Sequence, residues 1–232
     1  MVDASALVTE LPVEMSGAGC GIEYLNHEIN GGLYSQMVSD ESFENLHNAS
    51  TGLTTQWRAG GCCAALVAAG RHAPTLPAAL NGHQFLRLER DQGAGAAWAE
   101  NRGTNRWGIN WKQGRPYEGS LWAASAAGPA RLRVALSCGA SNTTHGRTLA
   151  EQNLSIPAGS AWAEHKLALT PAGNCATAAE GGLIVQFLSA AAGSVSVDMV
   201  SLHPGAWGLY HGLPTRKDLA TFLIERMRPA VL

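Results

Sequence analysis

The sequence predicts a mainly β protein: an antiparallel β-sandwich over about residues 47–205, preceded by a strand and a helix and followed by a second helix. Short apolar runs alternate with Gly, Asn, Pro and Ser clusters through the middle of the chain, the texture of many short strands joined by turns. Arg131 and Arg133, and again Val195 and Val197, alternate with their neighbours at period two, as half-buried antiparallel strands require. Near the C-terminus the period changes: Leu219, Phe222, Leu223 and Met227 recur at three- and four-residue spacing, which is helical.

Taken in order, residues 4–10 are compatible with a short strand, and residues 20–25 form a second one, apolar except for Glu23. A carboxylate inside a buried strand is costly unless it is paired or faces a ligand. From Gly32 to Phe43 the apolar positions Leu33, Met37 and Phe43 fit one helical stripe. Strands are then expected at 85–88, 120–124, 130–136, 161–167, 182–187 and 195–202, with Val134, Leu136, Ile184 and Val197 inside the sandwich. The closing helix, 215–227, has Pro214 before it, Thr215 as N-cap, Asp218 as the third position of a capping box and Pro229 as its stop. Three segments follow from this: 1–46, 47–205 and 206–232.

Composition narrows the function classes. The 232 residues are 46% hydrophobic and 15% charged, a globular balance, and a net charge of −2 gives no electrostatic case for nucleic acid or an anionic membrane as partner. The N-terminal residues have no basic stretch followed by an apolar core, so no secretory leader is legible there. Five cysteines, without a CxxC or a Cys/His ligand spacing, argue against zinc. Cys138 and Cys175 each sit at an expected strand end or loop, where they could pair in an oxidising compartment. Adjacent Cys62 and Cys63 read as apolar positions on opposite faces of a strand. The eight histidines show no ligand spacing, and the glycine-rich stretch 93–108 lacks the strand–GxGxxG–helix context of a nucleotide loop, so no cofactor is expected.

Two stretches carry a family resemblance. Gly21-Ile22-Glu23-Tyr24-Leu25, followed by Gly31-Gly32-Leu33-Tyr34 with nine residues from Glu23 to Gly32, resembles the first barrel strand and following turn of family 51 glycoside hydrolases, the α-L-arabinofuranosidases. Ser35 to Glu44 resembles the family's next helix. Gly212 to Leu219, then Met227 to Leu232, resembles a later helix start and the strand after it, and the chain stops just before that strand's arginine and glycines. Between them, the pattern W-G-I-x-W-x-x-G-x-x-Y-x-x-S-L-W-A over 107–123 resembles carbohydrate-binding modules of the jelly-roll type. The resemblance thus implies a jelly-roll sandwich inserted into the first elements of an incomplete (β/α)8 barrel. It implies the N-terminal part of an enzyme that removes terminal arabinofuranosyl residues from polysaccharides, with an arabinose-containing polysaccharide or oligosaccharide as partner. The family is often extracellular.

Retaining glycosidases need two carboxyl groups about 5 Å apart, and in this family both sit on later barrel strands, so the chain alone is expected to be inactive. The resemblance makes Glu23 a sugar-binding residue, since a carboxylate can accept hydrogen bonds from two adjacent hydroxyls. Asn26 and His27, in the loop after it, would face the same pocket. Trp107 and Trp111 stay open between a stacking platform for a sugar ring and core packing, while Trp122 reads as core. Asp198 is expected to bond a loop backbone, in preference to a structural calcium. The alternative reading of the whole chain is a non-catalytic carbohydrate-binding protein that kept the module and lost the barrel.

Overall fold

A computed structural model describes residues 29–45, 53–61, 64–68, 79–90, 96–126, 128–140, 144–188 and 193–227. The strands expected at 4–10 and 20–25, and Cys62 and Cys63, lie outside the described residues. The chain divides into two compact units, a continuous one over Gln36–Trp207 and a discontinuous one made of Met1–Ser35 with Gly208–Leu232.

The continuous unit is a β-sandwich, as the alternation predicts. Its strands are β1 (Trp57–Gly61), β2 (Ala64–Ala68), β3 (Gln84–Arg90), β4 (Ala97–Asn101), β5 (Tyr117–Ser125), β6 (Ala130–Cys138), β7 (Arg147–Ile156), β8 (Ser160–Leu169), β9 (Gly181–Phe187) and β10 (Gly193–Pro204). One five-stranded sheet runs β1-β4-β9-β6-β7 and the other β2-β3-β10-β5-β8. All pairings within the two sheets are antiparallel. Only β2–β3 and β6–β7 are consecutive neighbours in one sheet; the other connections cross between sheets, the weave of a jelly roll.

Alternation aims one face of each sheet at the other. Leu132, Val134, Leu136, Leu183, Val185 and Phe187 meet Leu86, Leu88, Leu121, Ala123, Val195 and Val197 in one buried cluster. Ile184 is buried too, but on the opposite face of its sheet, where it packs with Trp98, Ala135 and Ala140. Trp98 lies so close over β1 that a Cβ on Gly60 would meet its ring at 1.8 Å, so only glycine fits there. Beside it Glu100 is buried with its carboxylate against Arg58 and Arg102. The open side between β7 and β8 is bridged by Gln152, whose Nε2 donates to the Lys166 carbonyl at 2.9 Å and whose Oε1 accepts from Ala168 N–H at 2.9 Å.

β10 changes face part-way. Met199 has φ 49°, and the pairing with β5 shifts register between Asp198 and Ser201. Val195 and Val197 point into the core before this bulge, and Val200 and Leu202 after it. Asp198, just before the bulge, holds it in place. Oδ1 accepts from Met199 N–H at 2.8 Å, and Oδ2 from Leu80 N–H at 3.1 Å and Asn81 N–H at 3.3 Å. The expected bond to loop backbone is therefore present.

The helix expected from Gly32 to Phe43 does not form. Asp40 and Phe43 have φ 60°, which an α-helix cannot accommodate. The backbone groups a helix would use are bonded elsewhere: Met37 N–H to Leu202 O at 2.8 Å, Glu41 O to Val200 N–H at 2.9 Å, and Ser39 on both sides to the Asn101 amide. The apolar spacing reflects another use, since Val38 and Phe43 plug the sandwich core. Phe43 packs on Trp57 with ring centroids 4.9 Å apart.

In the discontinuous unit, β11 (Leu209–Tyr210) and β12 (Leu213–Arg216) form a hairpin through His211 and Gly212, both at positive φ. Tyr34 bridges Thr215, Ser35 N–H donates to Pro214 O at 3.0 Å, and Arg216 N–H donates to Leu33 O at 2.8 Å. Helix α1 (Lys217–Thr221) continues as a π-type turn over Phe222–Met227. The C-terminal helix is thus present, with its N-cap one residue later than expected. Thr215 is drawn into β12, Arg216 takes the N-cap position without a side-chain cap bond, and the Asp218 carboxylate is held by Arg216 at 2.5 Å.

Candidate functional site

The segment between β4 and β5, residues 102–116, carries the aromatic residues singled out from the sequence. It is not regular structure beyond a 3-10 turn at Thr104–Arg106. Trp107 and Trp111 are only four positions apart but meet opposite fates. Trp107 is 68% exposed, its ring open to solvent. Trp111 is fully buried: its Nε1 donates to the Ser137 carbonyl at 3.1 Å and its ring stands edge-on to Tyr117 at 5.0 Å. Trp111 therefore offers no face to a sugar and is a core residue. Trp122, expected in the core, departs the other way. Its β5 neighbours Leu121 and Ala123 point inward, so it lies on the outer face of its sheet opposite Asp198 and Glu164, and is only partly covered. Glu23, Asn26 and His27 lie outside the described residues.

From Trp111 an aromatic chain runs outward. Tyr117 stands edge-on to Trp207 at 5.6 Å, and Trp207 Nε1 donates to Pro116 O at 2.7 Å. Burial raises the Tyr117 phenol above its ordinary pKa, so its hydroxyl stays a neutral donor and acceptor. The oxygen accepts from Lys112 N–H at 2.8 Å.

Trp207 forms one wall of a cavity of about 340 Å³, lined also by Lys112, Gln113, Arg115 and Asn174. The turn Lys112–Arg115 supplies most of it. Arg115 N–H donates to Lys112 O at 3.1 Å, Gly114 N–H to Pro171 O at 2.9 Å, and Gln113 N–H to Asn174 Oδ1 at 2.8 Å. Gly114 has φ 70°, which the turn requires and glycine adopts without strain. The Arg115 guanidinium carbon lies over the Trp207 ring, 5.7 Å from the centroid, a cation–π contact. Next to Asn174, Cys175 forms a disulfide with Cys138 across a Cα–Cα distance of 5.5 Å. Arg147 Nη2 donates to Asn174 O at 2.7 Å. Sequence reasoning did not find this cavity, because its walls come from segments 61 and 91 residues apart.

No cluster of three or more His, Cys, Asp or Glu able to hold a metal is present among the described residues. The buried acids are committed to structure. Asp198 uses both oxygens on backbone N–H groups, and burial, with a smaller push from the Glu44 charge, still raises its pKa to about 6. Glu44 Oε1 accepts from His83 N–H at 2.7 Å and Gln84 N–H at 2.8 Å.

No family model matches the chain. It is 32% identical over 206 residues to an extracellular exo-α-L-arabinofuranosidase of Streptomyces chartreusis, an alignment covering 87% of this chain and 22% of that protein. In fold it is similar to the arabinose-bound MgGH51 α-L-arabinofuranosidase, with a TM-score of 0.69 at 23% identity, covering 88% of this chain and 32% of the other. A looser likeness, TM-score 0.45 at 14% identity, is to TmCBM61 in complex with β-1,4-galactotriose, covering 73% of this chain and 98% of that one. The chain spans about a fifth of the length of the Streptomyces relative and a third of the MgGH51 chain. In sequence and in fold, this chain is a family 51-like segment, similar to the N-terminal part of an α-L-arabinofuranosidase.

Proposed function

We propose that the chain is the N-terminal portion of an α-L-arabinofuranosidase-like glycoside hydrolase, which removes terminal arabinofuranosyl residues from polysaccharides, and that by itself it catalyses nothing. The observation that carries this reading is the extent of the likeness. The sandwich, Gln36–Trp207, is about three quarters of the chain, yet the match to MgGH51 covers 88% of it and so runs on into the discontinuous unit. A sandwich shared merely as an architecture would not extend the match into those flanking residues. Exposed apolar side chains on that unit, Leu213, Phe222, Ile224 and Met227, at 48–56% relative exposure, fit a piece that a larger barrel covers.

Glycoside hydrolysis needs a carboxylic acid and a carboxylate on either side of one bond. Among the described residues the buried acids are tied to backbone or arginine, and the cavity beside Trp207 is lined by none. The expected role of the chain is to bind. Glu23, with Asn26 and His27, is assigned to the arabinofuranosyl hydroxyls, and Trp107, whose exposed ring has the shape for it, to stacking on an arabinose-containing polysaccharide. The Cys138–Cys175 bond supports an oxidising compartment.

The test is hydrolysis of an aryl α-L-arabinofuranoside. The purified chain should release no more aryl alcohol than a blank. In a longer enzyme that contains this chain, Glu23→Ala should cut kcat/KM by about tenfold to a hundredfold, the worth of one charged hydrogen bond. Turnover by this chain that a single Glu→Gln change within it abolishes would overturn the reading.

A further inference from the structure

We propose that the cavity beside Trp207 is a second carbohydrate site, selective for a saccharide that carries a carboxylate. Three features of the cavity lead there. The first is charge. Lys112 and Arg115 both line it, Arg147 stands behind it on the Asn174 carbonyl, and no acid lines it. Among the described residues none of these three cations forms an ion pair, whereas Arg58, Arg87, Arg102, Arg133, Lys166 and Arg216 are all matched to a carboxylate. A concave wall of unmatched cations favours an anion.

The second feature is the way Arg115 is held. Its guanidinium carbon lies over the Trp207 ring at 5.7 Å, a cation–π contact that keeps the charge at this wall, and a guanidinium is the group that can grip a carboxylate with two parallel bonds. Trp207 is itself held, by its bond to Pro116 O and by the edge of Tyr117. The third feature is the neutral part of the lining. Asn174 Oδ1 is occupied by Gln113 N–H, so its Nδ2 is left as a donor, and the Gln113 amide adds a donor and an acceptor. Amides beside an indole suit the hydroxyls and the apolar face of a sugar ring. At about 340 Å³ the cavity sits at the lower end of the roughly 300–1,000 Å³ of small-molecule sites, room for a short saccharide rather than a long groove. The backbone of the turn that builds it is held by bonds to Pro171 O, Tyr117 Oη and Asn174 Oδ1 before any ligand arrives, so the ordering cost that remains is that of the side chains.

That the anion is a sugar rests on the proposed function; that the cavity takes an anion rests on its own lining. The experiment uses the whole chain and titrates three probes by calorimetry and tryptophan fluorescence: a galacturonate oligosaccharide, a neutral arabino-oligosaccharide and a sulfated oligosaccharide. The galacturonate probe should bind, weaken as salt is raised, and lose about tenfold or more in affinity in Arg115→Gln and in Lys112→Gln. Arg115→Lys, which keeps the charge but not the planar fork, should lose part of that affinity. Both side chains are exposed, so the fold should survive, and an unchanged thermal midpoint checks it. Equal affinity for the neutral probe, a sulfated probe that binds as tightly as the carboxylated one, or binding indifferent to Arg115→Gln would each overturn the proposal. Loss of the galacturonate site would leave the arabinofuranoside assay untouched, and an active chain in that assay would leave the anion selectivity untouched, so the two ideas fail separately.

Discussion

Asp198 gives the sharpest handle on the energetics of the sandwich. Its carboxyl is fully buried, and burial raises its pKa from 3.8 to about 6 against the pull of three backbone N–H groups. Between those two pH values the folded protein holds the proton and the unfolded chain does not. The stability this contributes is therefore full below pH 3.8 and is lost as pH rises through about 6. At 1.36 kcal/mol for each pKa unit the whole effect is about 3 kcal/mol, of which about 2 kcal/mol falls between roughly pH 4.5 and 7.5. Asp198→Asn removes the titration. It also puts an amide NH₂ where one oxygen accepted backbone N–H bonds, a cost of about 1–3 kcal/mol that does not depend on pH. The assay is chemical unfolding of both proteins across that pH range, with the disulfide kept oxidised. Relative to the variant, the wild type should lose about 2 kcal/mol as pH rises. Asp40, raised chiefly by burial, slopes in the same direction, and His145 and His165, lowered chiefly by burial, slope in the other. All three remain in both proteins and cancel in the difference, while Glu44, whose charge reaches Asp198, shares a small part of it. A difference that is flat with pH, or that grows in favour of the wild type, would refute the assignment of Asp198 as a buried, backbone-bonded acid.

Replacing Cys138 and Cys175 together by alanine opens a loop closed across 37 residues, for which chain entropy predicts a loss of about 4 kcal/mol; an unchanged midpoint in guanidinium would dismiss the bond as a stabiliser. Trp111→Ala should cost about 3–5 kcal/mol as a buried ring is lost, and Trp107→Ala less than about 0.5 kcal/mol; the reverse order would mean that the two rings are misplaced.

Much of the sandwich is legible in the sequence because its strands are apolar runs set between turn residues, and stretches of β6, β8 and β10 also alternate between buried and less buried positions. The six strands read from apolar runs between turn residues, β3, β5, β6, β8, β9 and β10, all form, with longer bounds. Two of the strands that escaped reading, β4 and β7, did so for physical reasons. β4 and β9 are both buried throughout and have no period to show; β9 is betrayed by the apolar run Leu183-Ile184-Val185, whereas Ala97–Asn101 ends in Glu100 and Asn101 and offers no such run. β7 carries a register shift opposite Leu136 and Ser137, which breaks its alternation near Thr148. The Met199 bulge hides in the same way inside β10, where two hydrophobic sets of opposite parity read as one strand. The failed helix is instructive in another way. A helical stripe and a plug of two core residues give the same spacing of apolar positions, and only the distant partners Leu202, Val200 and Asn101 decide between them. Site residues are hardest, since exposure is set by tertiary neighbours. Nothing within the W-x-x-x-W pattern separates Trp111, buried under Ser137 and Tyr117, from Trp107, left in solvent.

The order of the units along the chain has its own physical logic. A domain can interrupt another only if its two ends lie close together, because otherwise the host must hold two distant points at a cost in loop entropy. The sandwich meets this condition from within. Met37, at its entry, donates to Leu202, near its exit, and Gln36 Oε1 accepts from Leu202 N–H at 2.9 Å. The discontinuous unit meets it as well, since Leu33, Tyr34 and Ser35 pair with Pro214, Thr215 and Arg216. Each unit thus brings the two crossing strands together by its own hydrogen bonds. Neither depends on the other to close the loop, which is why a large, disulfide-bonded sandwich can stand between two short segments without loosening the pairing that joins them.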